Sequence, residues 1–132
     1  MASIFTRIIN GEIPCYKVAE NEDFFAFLDI RPRTKGHTLV VPKKEIDYLF
    51  DLDEETYIGL HLFAKKIAKA IVMAVPCQRV ATTVIGLEVP HCHIHLLPIH
   101  SISDTNFTRP HFEMTNEEFA ETAKAIAEKV AW

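Results

Sequence analysis

The chain has 132 residues, 48% of them hydrophobic and 24% charged, with a formal net charge of −4. That is enough apolar material for a core without disulfide or metal staples, and the acidic balance gives no general attraction to nucleic acid or an acidic membrane. No stretch approaches the roughly 20 apolar residues of a bilayer span, and the N-terminal residues lack a secretory pattern. The three cysteines, Cys15, Cys77 and Cys92, form no close pair, which fits reduced thiols and a cytoplasmic location. No repeat, low-complexity tract or linker divides the sequence, so residues 1–132 read as a single domain.

Ser3 can cap a short helix running to about Ile9, with Gly11 and Pro14 as stop signals. Cys15 to Val18 and Phe24 to Leu28 read as two strands around the turn Asn21-Glu22-Asp23. Asp29 follows at a strand end, where an aspartate either initiates a turn or offers two acceptor oxygens to a ligand. Arg31 to Gly36 is a basic loop, and His37 to Val41 a third strand ended by Pro42. Asp51-Leu52-Asp53-Glu54 has capping-box character and opens a helix to about Ala74, on which Leu60, Phe63, Ile67 and Ile71 trace one apolar stripe. His61 falls off that stripe and reads as a surface residue.

Arg79 to Ile85 is a fourth β-rich run, and Gly86 to Pro90 turns into the last one. After Pro98 a loop to Pro110 leads to a second capping box, Thr115-Asn116-Glu117-Glu118. A C-terminal helix follows with Phe119, Ala123, Ile126 and Val130 on one side. His100 and His111 read as surface residues. The expected fold is α+β: an antiparallel sheet of about five strands with one long helix packed on it and a C-terminal helix from about residue 115.

Pro90-His91-Cys92-His93-Ile94-His95-Leu96-Leu97-Pro98 carries the strongest chemical signal. In an extended chain alternate side chains share a face. His91, His93 and His95 then lie on one side and Cys92, Ile94 and Leu96 on the other. A neutral imidazole is a nucleophile, a proton carrier and a metal ligand. Three at period two are hard to explain as packing, because each buried ring needs polar partners. The apolar flanks speak against a merely solvated, histidine-rich face.

This segment resembles the His-φ-His-φ-His-φ-φ signature of the histidine triad (HIT) family, where φ is apolar. Ile4 to Pro14, Phe25 to Ile30 and Lys35 to Lys44 resemble three further landmarks of that family, in the correct order. The resemblance implies a HIT-like fold and a homodimer. It also implies a nucleotide hydrolase acting at the α-phosphorus of a purine nucleoside phosphoramidate or related AMP-like ester, through a nucleotidyl-histidine intermediate and without a cofactor. By resemblance His93 is the nucleophile and His95 donates to phosphate or the leaving atom. His91 orients His93 through its carbonyl and through contact with His37. Asp29 takes the ribose hydroxyls, and Phe5, Ile8, Phe27 and Leu39 wall the base. Ile30 and Glu88 complete the expected nucleotide-binding set.

The sequence departs from the family pattern at several positions. Glu88 and Pro90 occupy the turn where many nucleotide-hydrolysing members carry a hydroxyl or amide. Ser3, Thr6 and Glu45 stand where some bacterial relatives place ligands of a structural zinc, so no such zinc is expected. The transferase branch has glutamine at the third triad position, so His95 favours hydrolysis. Three other readings stay open: a dinucleoside polyphosphate hydrolase, a nucleotide-binding module with little turnover, and a metal site built from His91, His93 and His37.

Overall fold

The computed structural model describes residues 2–132. In chain order the elements are α1 (Ile4–Ile9), β1 (Lys17–Glu20), β2 (Phe24–Leu28), β3 (Thr38–Pro42), α2 (Glu54–Ala74), β4 (Arg79–Thr83), β5 (Ile94–Ile99) and α3 (Asn116–Ala127). The five strands form one antiparallel sheet in the order β1-β2-β3-β5-β4. This is the α+β architecture expected, with both β1 and β4 at the edges.

The helix boundaries follow their caps. Ser3 Oγ accepts from Thr6 N–H at the start of α1, and Asp53 accepts from Thr56 N–H at the start of α2. Thr115 and Glu118 close a reciprocal capping box on α3. On α2, Leu60, Phe63, Ile67 and Ile71 are all buried, each contributing about 1.5–3 kcal/mol by leaving water. Gly59 lets α2 press against β2, since a Cβ there would come within 2.8 Å of the Phe24 ring.

Several strand ends differ from the sequence reading. β1 starts at Lys17 and is bulged between Lys17 and Ala19, with Leu28 N–H still reaching the Tyr16 carbonyl just ahead of it. β3 starts after His37, whose N–H closes a turn onto the Thr34 carbonyl; Gly36 supplies that turn with φ +93°, a region side chains disfavour. β4 ends at Thr83, opposite His95. α3 ends at Ala127, and Val130 packs on the core from beyond it.

The sheet sorts its side chains by parity. Phe24, Ala26, Leu28, Val40, Cys92, Ile94 and Leu96 join α2 and α3 in the larger core. Phe25, Phe27, Leu39 and Val41 point the other way and pack with Phe5 of α1. On that second face lie the histidines.

Candidate active site

The ladder of β5 begins only at Ile94, so His91 and His93 precede the regular strand. His91 N–H turns back to the Val89 carbonyl and Cys92 N–H reaches the Ile46 carbonyl at 2.7 Å. The alternation of faces survives this irregularity. His91, His93 and His95 are all buried on the Phe5 side, where Phe5 meets His91 and His93 edge-on at ring distances of 5.8 and 4.9 Å. Cys92 faces the opposite core, and burial pushes its thiol up to about 11. A thiolate at that position is therefore no competitor to the imidazoles.

The hydrogen bonds fix which nitrogen of each ring carries a proton. A carbonyl can only accept, so a ring nitrogen bonded to one must be an N–H. His91 Nε2 lies 2.7 Å from the Pro42 carbonyl, and His93 Nδ1 lies 2.7 Å from the His91 carbonyl. Both of those nitrogens donate. In the neutral ring, His93 Nε2 is then the nitrogen with the lone pair.

His37 accepts at Nδ1 from Arg33 N–H at 2.9 Å, so its proton sits on Nε2 and is donated 2.9 Å to His95 Nδ1. His95 then carries its own proton on Nε2. The sequence reading put His37 in contact with His91; the structure pairs it with His95 instead, because β3 and β5 set Thr38 opposite Leu96 and Leu39 opposite His95. Burial pushes His37 down to about 3, helped by the Arg33 charge. Burial likewise pushes His95 down to about 3, with further contributions from His37 and His93. Both rings are neutral at pH 7. His91 is also held below its ordinary value, chiefly by burial, against the opposing pull of the Pro42 bond and the Glu45 charge.

Of the expected nucleotide residues, Phe5, Ile8, Phe27, Leu39 and Asp29 lie about this row. Phe5, Phe27 and Leu39 are buried together, Ile8 packs at their margin, and the Phe5 and Phe27 rings meet at 5.4 Å. Asp29, whose side chain is partly exposed, accepts from Arg31 N–H with Oδ1, while Oδ2 lies 3.6 Å from His37 Nε2. Ile30, next to it, is 67% exposed. Glu88 is exposed in the turn before His91, so its charge stays in water rather than among the imidazoles.

Two groups that sequence reasoning gave no role belong to the site. Phe107, from the loop after β5, packs edge-on against His95 at 4.9 Å and His37 at 5.9 Å. Arg33 holds that loop by donating to the Phe107 and Arg109 carbonyls, with its guanidinium over the Phe107 ring. The second group is a polar cluster at the other end of the row. Ser3 Oγ lies 2.8 Å from His91 Nδ1, while Glu45 Oε1 accepts from Ser3 N–H and from Thr6 Oγ1, each at 2.6 Å. No local pattern announced Phe107, and of its surroundings only the basic character of the Arg33 loop was visible. Of the second group the sequence showed the capping role of Ser3 and, by resemblance, that Ser3, Thr6 and Glu45 stand where some relatives place zinc ligands.

The metal readings can be tested on these donors. His91, His93 and His37 are not a common set, because His37 bonds to His95. Asp29, His37 and His95 do bring three ligand atoms within 4.8 Å of one another. Both His37 nitrogens are already engaged there, and a cation would have to displace the proton shared with His95. At the N-terminal cluster the donors are two hydroxyls, a carboxylate and His91 Nδ1. Structural zinc favours cysteine and histidine, so this set does not suit it.

A family model described as HIT domain matches residues 10–102. The adenosine 5′-monophosphoramidase of Saccharomyces cerevisiae is 38% identical over 100 residues, covering 74% of this chain and 62% of the yeast protein. A HIT-like protein from Bartonella henselae, crystallised with an unknown ligand, superposes with a TM-score of 0.83 at 32% identity, over 96% of this chain and 95% of the other. A zinc-bound histidine triad family protein from Mycobacterium smegmatis gives 0.84 at 26% identity, over 98% and 94% of the two chains. The chain belongs to the histidine triad family, a family of nucleotide-binding proteins. No helix among the described residues is long and apolar enough to cross a membrane.

Proposed function

We propose that this protein hydrolyses purine nucleoside phosphoramidates at the α-phosphorus, with His93 Nε2 as the nucleophile. The observation that carries the reading is the bond from His93 Nδ1–H to the His91 carbonyl at 2.7 Å, which orients the ring and leaves Nε2 as the nitrogen available to phosphorus. In the first step the Nε2 lone pair forms a bond to phosphorus. The bond from phosphorus to the N-protonated amine breaks, and its electron pair leaves with the amine. In the second step water bonds to phosphorus, the bond to His93 breaks, and its electron pair returns to Nε2. The amine takes up the proton released, and the nucleoside monophosphate departs. Splitting one displacement into two lowers each barrier.

His95 contributes as a hydrogen-bond donor rather than an acid. Its Nδ1 is filled by the His37 proton, so Nε2–H is held ready for a phosphate oxygen. A fixed donor in a site shielded by Phe107 stabilises charge that grows in the transition state. Asp29 Oδ2 suits the ribose diol, and the wall of Phe5, Phe27, Leu39 and Ile8 suits a flat base. The name of the yeast relative points to the same substrate class.

The homodimer reading has support in the unpaired outer edge of β4 and in the exposed Ile58 and Leu62 on α2, features that association would cover. Light scattering should give twice the chain mass; the mass of a single chain would end that reading.

The first experiment is turnover of adenosine 5′-phosphoramidate by wild type and His93→Ala in the presence of chelator. Wild type should turn over and the variant should not. Equal AMP binding by both without turnover by either would reject this substrate. Diadenosine polyphosphates would then be tried. Loss of the rate on chelation alone would reject the metal-free step.

A further inference from the structure

We propose that Ser3, Thr6 and Glu45 are positioning residues for the nucleophile, acting through His91 and the peptide that follows it. The inference rests on the reading of His93 as nucleophile and adds residues that this reading does not contain.

The protons in the cluster have one consistent arrangement. The Pro42 carbonyl forces the His91 proton onto Nε2, so Nδ1 is a buried acceptor and requires a donor. Ser3 Oγ lies 2.8 Å from it and Thr6 Oγ1 lies 3.4 Å from it. A hydroxyl has one proton to give. The Glu45 carboxylate only accepts, so it claims the Thr6 proton at 2.6 Å. The Ser3 proton is left for His91, with Ser3 Oγ itself accepting from Thr6 N–H at 3.1 Å. Hydrogen bonds hold the Glu45 carboxyl below its ordinary range, Thr6 first and the Ser3 backbone next, so the acceptor stays ionised.

The same segment also aims the carbonyl that His93 uses. The His91 carbonyl and the Cys92 N–H belong to one planar peptide. Cys92 N–H donates 2.7 Å to the carbonyl of Ile46, the neighbour of Glu45. On the other side of that plane the His91 carbonyl accepts from His93 Nδ1 at 2.7 Å. Glu45 ties the segment carrying Ile46 to the start of α1 through Ser3 N–H and Thr6 Oγ1. Ring and peptide of residue 91 are thus held from two directions by one network. These bonds bridge 42, 39 and 88 positions of sequence.

Glu45 is exposed, so replacing it leaves the core intact. Glu45→Ala should lower kcat for adenosine 5′-phosphoramidate about 3–10-fold with KM nearly unchanged, as expected for a residue that orders a reacting group without touching substrate. Glu45→Gln keeps an acceptor for Ser3 N–H and Thr6 Oγ1 and should recover most of the rate. Ser3→Ala should lower kcat further and Ser3→Thr should restore it. Ring nitrogen NMR supplies a readout independent of turnover. Wild type should show His91 and His93 each as a single tautomer, protonated on Nε2 and Nδ1 respectively. Glu45→Ala and Ser3→Ala should show averaged tautomers at both.

A wild type without turnover would reject the hydrolase reading, and the NMR comparison would then decide the positioning claim alone. Glu45→Ala and Ser3→Ala variants that keep the wild-type kcat and tautomers, changing only Tm, would overturn it. The cluster would then merely staple α1 to the domain.

Discussion

On one face of the sheet, α2 and α3 cover Leu28, Val40, Ile94 and Leu96 with the stripe of Leu60, Phe63, Ile67 and Ile71. On the other, α1 and two loops cover Phe25, Phe27, Leu39 and a row of four buried histidines. The first face is held by area removed from water, which is non-directional and tolerant of small shifts. The second is held by directional hydrogen bonds, and the ring nitrogens those bonds leave over, Nε2 of His93 and Nε2 of His95, are the ones a ligand can meet. A face of that kind fixes tautomers as well as positions, and chemistry at a lone pair needs both.

The strongest way to break the comparison is to damage each face separately. Ile67→Ala removes a fully buried side chain from the helical face and should cost about 2–5 kcal/mol of stability, with kcat retained wherever the variant is folded. His93→Ala should cost turnover at least about a thousand-fold with a much smaller change in the urea midpoint. If Ile67→Ala lowered kcat as much as stability, the two faces would be one cooperative device and the distinction would fail.

Acid sharpens the same contrast through the histidine face alone. His37 and His95 stay neutral down to about 3 when folded, against 6.5 for the free side chain. As the pH falls through 6.5 the unfolded chain binds protons that the folded chain refuses. Stability is therefore full above 6.5 and declines below it, approaching about 1.4 kcal/mol per pH unit for each ring. His91, held low for the same reason, adds to the decline. Urea midpoints measured from pH 7 down to about pH 5 read this before most carboxylates titrate. His95→Asn should flatten the slope. A midpoint constant over that range would show that these rings are not held neutral by the fold.

The helical face was legible because its information is local. A stripe repeating every three or four residues specifies α2, and Thr115 with Glu118 specifies the start of α3 within four positions. The alternation at His91, His93 and His95 was legible for the same reason, and its faces survive even where the ladder does not. The partners of those rings were not legible. Ser3 and His91 stand 88 positions apart, and His37 and His95 stand 58 apart. Neither separation leaves a periodic trace. The misplaced contact of His37 follows from this: the strand order β2-β3-β5 decides which ring it meets, and no repeat in the sequence encodes that order. Phe107 was hidden likewise, in a loop whose place over His95 depends on a guanidinium from another loop.

Of the ways to separate the two faces, the smallest effect lies at the rim of the histidine face. Asp29 already spends Oδ1 on Arg31 N–H, so only Oδ2 is free to choose a ligand. Asn at this position can keep the bond to Arg31 while replacing the free acceptor with a donor and removing the charge. For a ribonucleoside phosphoramidate, Asp29→Asn should therefore lower kcat/KM about 5–10-fold, the loss of roughly one charge-assisted hydrogen bond. With the 2′-deoxy substrate, which cannot fill that acceptor in the same way, wild type and variant should differ by less. Equal losses on both substrates would mean that Asp29 acts on the His37–His95 pair, 3.6 Å away from His37 Nε2. The rim would then belong to the proton-fixing network rather than to sugar recognition.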